Sequence, residues 1–323
     1  MSRVSQRVQI GLVLLLLSLA LVFPVHSWAS APITRKSGPG FYRMMLGDFE
    51  ITVISDGTFR EPVDTLLTNT TKAVVDQELK ENFESSPYEM SDNCFVVNTG
   101  RKLILIDTGA GSLMGPTLGH LLPNLAAAGY RPEQVDEVYI THLHPDHIGG
   151  LAHDGQRTFP NAILRIDQAD VDYWLSGENL ARASEQEKPF FQGARDSVVP
   201  YKNTGKLKTF SGDGELSPGI SSEAAHGHTP GHSMYEIQSH GQTLEIIGDL
   251  VHVVEVQFAH PDVSIVFDSD SAMALNVRKK FLLDASEKGI LLGSSHVSFP
   301  GLGHVRRESS GYAWIPVHYK LLQ

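Results

Sequence analysis

The stretch "ITHLHPDHIGG", residues 140–150, carries three histidines and an aspartate within six residues, directly after an apolar run. His142 and His144 are two residues apart, so both rings can point the same way where an extended strand ends. Asp146 and His147 follow in a turn and can reach a second ion beside the first. Imidazole and carboxylate are ligands of divalent transition metals. The pattern therefore indicates a metal site rather than a set of isolated surface or core histidines.

Short apolar runs without polar alternation recur along the chain and predict strands that are buried on both faces. They are "LILI" at 103–106, "VYI" at 138–140, "AIL" at 162–164, "LEII" at 244–247 and "ILL" at 290–292. Such strands require layers packed over the sheet. Segments at helical spacing lie between several of them, so the chain is predicted to have an α/β fold.

Three segments show helical spacing: 71–83, 115–130 and 271–289. In the first, the apolar residues recur every four positions and include Phe83. Pro123 is expected to kink or end the second helix, because proline lacks the amide hydrogen. Gly289 is expected to stop the third.

Four of the strands deliver a ligand-capable side chain at their downstream ends. The run at 103–106 leads into Asp107, the run at 138–140 into His142, the run at 244–247 into Asp249, and "ILLGSS" into His296. In open α/β sheets this carboxyl end is where sites are built. The sequence therefore predicts that these residues meet at one edge.

A second histidine-rich turn, "AHGHTPGHS" at 225–233, offers His226, His228 and His232 as a further ligand. Spacing alone does not rank the three. With one of them, the inventory reaches seven ligands, which is enough for two ions if Asp249 bridges them.

Composition limits the class of partner and the compartment. The 323 residues carry a net charge of −11, which disfavours a nucleic-acid backbone as partner. Two arginines precede the apolar run at 10–23, so residues 1–29 are predicted to be a signal peptide that is cleaved near Ala29. Residues 30–323 would then form a single domain, exported to the periplasm or secreted, without a stable membrane anchor. Cys94 is the only cysteine and cannot form an intramolecular disulfide.

The order of Asp107, "HLHPDH", "HTPGH", "GD" and a late histidine resembles the metallo-β-lactamase superfamily of hydrolases. Longer stretches are similar to the bacterial methyl parathion hydrolase group within it: "GFYRMMLGDFEITVISDGT", "GPTLGHLLPNLAAAGYRPEQVDEVYITHLHPDHIGGL", "HGHTPGH" and "FPGLGH". The resemblance implies an α/β fold of the four-layer αβ/βα sandwich type, the metallo-β-lactamase fold.

The resemblance also implies a role for each candidate ligand. One metal would be held by His142, His144 and His232, and the other by Asp146, His147 and His296. Asp249 would bridge the two, so that Asp146 and Asp249 are the catalytic carboxylates, and Asp107 would orient ligands. Because the histidine after Pro-Gly matches the family's ligand, His226 and His228 would be structural. No role is assigned to His252 or His304.

The resemblance places Met114, Trp174 and Phe191 at positions that line the substrate cleft in the methyl parathion hydrolases, together with Phe190. At Met114 that family more often has a phenylalanine. Aromatic side chains at helical spacing are usually part of a core, and this alternative stays open for Trp174 and Phe191.

The activity that these features imply is hydrolysis by water that two divalent cations activate. Zinc is the first expectation for the metal, and manganese, iron and cobalt are also compatible with the ligands. Neutral esters, methyl parathion-like organophosphate triesters and lactones are the expected substrates. A periplasmic lactonase or β-lactamase-type amide hydrolase without phosphotriesterase activity is the alternative, and a metal-binding protein the non-enzyme alternative. The latter is disfavoured because seven ligands over two ions leave open positions. A homodimer is compatible with the sequence.

Overall fold

The structure is a computed structural model that describes residues 31–35 and 37–322. The signal peptide expected at 1–29 and its boundary with the following domain lie outside these residues and stay predictions. The described part of the unit Met1–Gly38 has no regular secondary structure, whereas the compact unit Pro39–Gln323 contains every element given below. Among the helices of the described residues, none has the length and apolar character needed to span a bilayer.

Eighteen strands form in the described part of the chain. They are β1 Phe41–Leu46, β2 Phe49–Glu61, β3 Leu67–Thr68, β4 Tyr88–Asn98, β5 Leu103–Ile106, β6 Glu137–Tyr139, β7 Ala152–His153, β8 Gln156–Arg157, β9 Ile163–Asp167, β10 Leu207–Phe210, β11 Gly214–Ser217, β12 Ile220–Ala224, β13 Ser233–Ser239, β14 Gln242–Ile246, β15 Ser264–Ile265, β16 Leu291–Gly293, β17 Leu302–Arg307 and β18 Tyr312–Pro316.

These strands make two seven-stranded sheets and two short pairs. The first sheet has the order β1-β2-β4-β5-β6-β9-β10, and the second has the order β11-β12-β13-β14-β16-β17-β18. Strand β3 pairs with β15, and β7 pairs with β8. Both large sheets are mixed, with parallel pairs at β5-β6-β9-β10 and at β14-β16.

The described helices are α1 Val63–Leu66, α2 Lys72–Glu81, α3 Leu121–Ala127, α4 Pro145–Ile148, α5 Gln168–Trp174, α6 Gly177–Arg182, α7 Lys188–Asn203, α8 Val254–Gln257 and α9 Ser271–Lys288, with single 3₁₀ turns at Pro132–Gln134 and Gly248–Leu250.

The sheets pack face to face, and helices cover their outer faces. Ile51 and Ile104 of the first sheet meet Ile237 and Leu244 of the second in one buried apolar cluster between the sheets. A second cluster joins the first sheet to α3 and α7, and a third joins the second sheet to α9. Residues on alternating faces of the strands supply these clusters, as strand geometry requires. The four-layer αβ/βα sandwich is therefore confirmed.

The predicted helices form with different bounds. Helix α3 begins only at Leu121, so Pro123 lies in its first turn, where the missing amide hydrogen leaves no bond unmade. The expectation that Pro123 kinks or ends this helix is wrong. Helix α2 ends at Glu81, and Phe83 is 98% exposed with φ +64° rather than packed on the helical face. Gly289 stops α9 with φ +64°, as predicted.

The register of the parallel strands brings the strand-end residues together. Ile106 of β5 lies opposite Tyr139 of β6, so Asp107 and His142 leave the same edge of the first sheet. Ile246 of β14 lies opposite Gly293 of β16, which places the segments that carry Asp249 and His296 at one edge of the second sheet.

Candidate metal centre

Two groups of ligand-capable side chains meet at these sheet edges. In each group the ligand atoms lie within 4.8 Å of one another. The first group is His142, His144, His228 and Asp249; the second is Asp146, His147, Asp249 and His296. Asp249 belongs to both groups. All seven side chains are buried except that of Asp146, which is partly buried.

The two carboxylate oxygens of Asp249 face the two groups. Its Oδ1 lies 3.1 Å from Nε2 of His147 and 3.1 Å from Nε2 of His296. Its Oδ2 lies 3.3 Å from Nε2 of His228 and 3.5 Å from Nε2 of His142. This arrangement fits a carboxylate that is shared by two cations.

Several of these atoms are buried and have no hydrogen-bond partner among the described residues. They include Nε2 of His142, Nε2 of His147 and Oδ1 of Asp249. A buried polar atom without a partner costs about 1–3 kcal/mol, so clusters of such atoms are uncommon unless they bind something. Nitrogen and oxygen donors without thiolate suit a borderline divalent cation such as zinc. The residues therefore fit divalent metal ions.

His232, expected to be a ligand, lies outside both groups, and His228 lies in the first group instead. Nδ1 of His232 lies 3.1 Å from the carbonyl oxygen of Ala225, and its Nε2 accepts a hydrogen bond from the Asp249 amide at 3.0 Å. Both ring nitrogens of His232 are thus used by the backbone. His228, expected to be structural, instead points Nε2 at His144 Nδ1, 3.1 Å away, and at Asp249.

Other side chains and carbonyls hold the candidate ligands in orientation. Nδ1 of His147 lies 2.8 Å from Oδ2 of Asp107, the residue predicted to orient ligands. Asp268 does the same for His228, with 2.9 Å between Nδ1 and Oδ1. His296 Nδ1 lies 3.0 Å from the Ser91 carbonyl oxygen. Fixing one ring nitrogen leaves the other available to a metal.

Asp170 ties the two histidine-rich segments to each other. Its carboxylate accepts hydrogen bonds from the Leu143 amide at 2.9 Å and from the Gly231 amide at 2.6 Å. Burial raises the pKa of Asp170 to about 6, although these backbone hydrogen bonds oppose the rise. Neither Asp170 nor Asp268 is identified by sequence reasoning. Both residues lie far along the chain from the groups that they contact, so no local sequence pattern marks them.

The charged side chains of the two ligand groups shift one another's pKa values. Burial raises the pKa of Asp249, but the surrounding imidazoles, led by His147 and His296, hold it well below its usual value. Burial lowers the pKa of His228, yet the hydrogen bonds with Asp249 and Asp268 raise it to about 9. For His296 burial again lowers the pKa, and the charge of Asp249 raises it to about 9. Asp249 is therefore the dominant negative charge of the centre.

A cavity of about 240 Å³ opens onto the metal centre and is the candidate substrate pocket. Its walls are Phe59, Glu61, Val63, Leu66, Met90, Met114, His144, Pro145, Asp146, Phe190, Asp249, His252, Ile265, Phe267 and His296. Met114, one of the residues predicted to line the substrate cleft, is among these walls. Trp174 and Phe191 are not among them: they are 5% and 2% exposed and belong to the core beneath the first sheet. Trp174 instead supports the wall from behind, with its ring 5.3 Å from that of His144 and 6.5 Å from that of Phe190.

The remaining histidines differ in their relation to the centre. His252 lines the pocket, and its Nε2 lies 3.1 Å from Asp249 Oδ2. Neither of its ring nitrogens has a hydrogen-bond partner among the described residues. His226 is partly exposed and faces Asp167, with 3.8 Å between Nε2 and Oδ2. His304 is exposed, and its Nδ1 lies 3.0 Å from the Ile290 carbonyl oxygen.

Comparison with known proteins agrees with this geometry. The sequence profile of the Metallo-beta-lactamase superfamily matches residues 88–291. The N-acyl homoserine lactonase of Bacillus cereus is 25% identical over 206 residues, which is 58% of this chain and 74% of that protein. Other Bacillus N-acyl homoserine lactonases match over 58% of their own length.

Two solved structures are similar over nearly the whole chain. The hydrolase AbOPH of the beta lactamase superfamily is 35% identical with a TM-score of 0.84, and the match covers 88% of this chain and all of that one. AidC, a dizinc quorum-quenching lactonase solved with the product N-hexanoyl-L-homoserine, is 30% identical with a TM-score of 0.82. That match covers 87% of this chain and 99% of AidC.

Proposed function

This chain belongs to the metallo-beta-lactamase superfamily, in which it is a metal-dependent hydrolase, and on that premise we propose that it opens uncharged lactones that carry an apolar acyl group. N-acyl homoserine lactones are the first class to test. We also propose that it binds two zinc ions per chain, because two ligand groups share Asp249 and AidC is a dizinc enzyme.

The observation that carries this proposal is the character of the pocket. Where it meets the centre, its walls are ligand residues; elsewhere they are largely apolar, with Met90, Met114, Phe190 and Phe267 among them. No lysine or arginine is among the described residues that line it. An anionic substrate such as a phosphodiester or a β-lactam carboxylate would find no side-chain cation there, so a neutral substrate with an apolar group is favoured.

Cations bound at such a centre lower the pKa of a coordinated water and polarise a carbonyl oxygen. The chain's own residues supply the rest. Asp249 would hold both ions at a fixed separation, and Asp107 and Asp268 would keep His147 and His228 turned toward them. Phe190 and Met114 would place the acyl group against the apolar wall and exclude water from it.

The similarity to named lactonases favours a lactone over other neutral substrates. The Bacillus cereus protein and AidC are both named lactonases, and AidC was solved with an opened N-acyl homoserine. A neutral organophosphate triester is the second candidate. It is supported by the sequence resemblance to the methyl parathion hydrolases and by the absence of cationic side chains from the described pocket walls, which suits any uncharged ester.

The test is kcat/KM on one zinc-loaded preparation for five substrates: N-hexanoyl and N-decanoyl homoserine lactone, a neutral 4-nitrophenyl phosphotriester, a phosphodiester and a β-lactam. We expect the lactones to lead by at least tenfold, equivalent to about 1.4 kcal/mol of transition-state preference. A tenfold lead of the phosphotriester would replace the first candidate by the second. A lead of the phosphodiester or the β-lactam would contradict both.

We further propose that the enzyme acts outside the cytoplasm, on the basis of the leader pattern in residues 1–29. Mass spectrometry of the protein from a native host should give a chain that begins near residue 30. A chain that retains Met1 in the periplasmic or secreted fraction would contradict cleavage, and recovery only from the cytoplasm would contradict export.

A further inference from the structure

We propose that Glu223, Glu236 and Glu245 form a binding site for a hard divalent cation such as Ca²⁺ on the outer face of the second sheet. None of the three belongs to the metal centre or lines the substrate pocket. We call them the carboxylate triad.

The triad is built by three neighbouring strands. Glu223 lies on β12, Glu236 on β13 and Glu245 on β14. Glu236 and Glu245 are direct cross-strand partners, and Glu223 is paired with Met234, two residues before Glu236 on the same strand. One oxygen from each carboxylate lies within 4.8 Å of one from each of the others. The sheet therefore fixes three oxygen donors around one point.

A second observation points to a ligand at that point. Glu245 is only 3% exposed, and its Oε2 is buried without a hydrogen-bond partner among the described residues. All three glutamates line one cleft of about 1010 Å³, which the end of α9 at Lys288 and Gly289 also lines. Buried carboxylate oxygens normally have a hydrogen-bond or metal partner, so the unpartnered Oε2 of Glu245 indicates that a ligand binds there.

Without a cation the triad is unfavourable. Like charges directly opposite each other on antiparallel strands destabilise a sheet. Burial, followed by the charges of Glu223 and Glu236, raises the pKa of Glu245 to about 8, although the charge of Lys288 opposes the rise. Within the described residues no lysine or arginine forms an ion pair with the triad, and the ion pair of nearby Lys288 is with Asp284, at 4.0 Å. A bound cation would remove the repulsion among all three carboxylates.

The donor chemistry selects the class of cation. The triad supplies carboxylate oxygens and no imidazole, which suits Ca²⁺ or Mg²⁺, whereas the histidine-rich metal centre suits zinc. The C-terminal end of a helix carries partial negative charge, and α9 ends at this cleft. A cation there would stabilise the contact between α9 and the second sheet.

The test uses the full-length protein with zinc already bound, so that added Ca²⁺ meets only other sites. Isothermal titration with CaCl₂, and separately MgCl₂, is expected to give one additional ion with a dissociation constant below about 1 mM. Added Ca²⁺ should raise the melting temperature. Glu236→Gln and Glu245→Gln should each weaken binding at least tenfold and abolish the rise. Glu287→Gln, an exposed change near the end of α9, is the matched control and should behave like the wild type.

The variants also carry an internal check on folding. In calcium-free buffer above pH 8, where Glu245 is ionised, Glu236→Gln should melt at or above the wild-type temperature, because it removes one of two opposed charges. In Ca²⁺ at the same pH the order should reverse. Lactone hydrolysis should stay within twofold of wild type in all variants. Absence of Ca²⁺ and Mg²⁺ binding to the wild-type protein, or undiminished binding in both Gln variants, would overturn the proposal. Neither result depends on the identity of the substrate.

Discussion

His228 and His232 allow a direct test of the metal centre, because the two residues lie four positions apart and have different partners. His228 Nε2 lies 3.3 Å from Asp249 Oδ2 and belongs to the first ligand group. Its replacement, His228→Ala, leaves three ligands in that group. Removing a residue that hydrogen-bonds to a metal ligand already lowers metal affinity by about 10–100-fold. Removing a ligand itself should therefore lower metal affinity by at least about 100-fold.

The expected result for His228→Ala is retention of about one zinc ion per chain after dialysis, and a fall in kcat/KM of at least about 100-fold, or roughly 2.7 kcal/mol. Metal content is measured by elemental analysis and activity with the lactone that the wild type prefers. The fold should persist, because His228 lies outside the strands and helices. Circular dichroism would show this as an unchanged spectrum.

The matched variant is His232→Ala. It removes two contacts with the backbone, to the Ala225 carbonyl oxygen and the Asp249 amide, and leaves both groups buried. At about 1–3 kcal/mol for each unsatisfied group, the free energy of unfolding should fall by about 2–6 kcal/mol. At about 2–4 °C per kcal/mol, the melting temperature should fall by about 4–24 °C. The variant should still bind two ions. Loss of an ion from His232→Ala, with both retained in His228→Ala, would refute the assignment.

Three further predictions follow from the same geometry. Asp268→Ala removes the partner of His228 Nδ1 and should weaken metal binding by about 10–100-fold, measured by competition with a chelator; unchanged affinity would show that the ring needs no support. In metal-free protein, the free energy of unfolding measured in urea should fall as pH rises from about 6.5 to about 9. The pKa values of His228 and His296 are both raised to about 9 in the folded state, so their protonation stabilises that state fully below pH 6.5. This stabilisation is lost as pH passes 9. Stability that rises over this window would contradict these pKa directions. Phe190→Ala should lower kcat/KM about tenfold more for N-decanoyl than for N-butanoyl homoserine lactone, whereas Phe191→Ala should lower stability by about 3–5 kcal/mol without that chain-length dependence; equal effects on both lactones in Phe190→Ala would place the acyl group elsewhere.

The sequence by itself determined the layers of the fold and most of the centre. Apolar runs and helical spacing are local patterns, and strands β5, β14 and β16 lie within a residue or two of where those patterns place them. His142 and His144 directly precede the short helix α4, which carries Asp146 and His147, so their mutual placement depends on a few backbone angles. Asp249 and His296 follow parallel strands, whose register brings their ends to a common edge.

The choice within the 225–233 turn was decided only by the tertiary structure. Three histidines occur there, and the direction of each ring depends on contacts from distant parts of the chain. The Ser233 amide donates to the Thr141 carbonyl at 2.8 Å, and the Gly231 amide to Asp170 at 2.6 Å. The rings themselves are held by Asp268 for His228, and by the Ala225 carbonyl oxygen and the Asp249 amide for His232. No local spacing rule contains that information.

The pocket shows the same limit for a different reason. A buried aromatic residue gives the same sequence pattern whether it faces a cavity or a core, because both environments are apolar. Phe190 and Phe191 are adjacent on α7, and the rotation between consecutive helical residues sends Phe190 to the pocket wall and Phe191 into the core. Which of the two faces the pocket depends on how α7 packs on the first sheet, and only the folded chain fixes that packing.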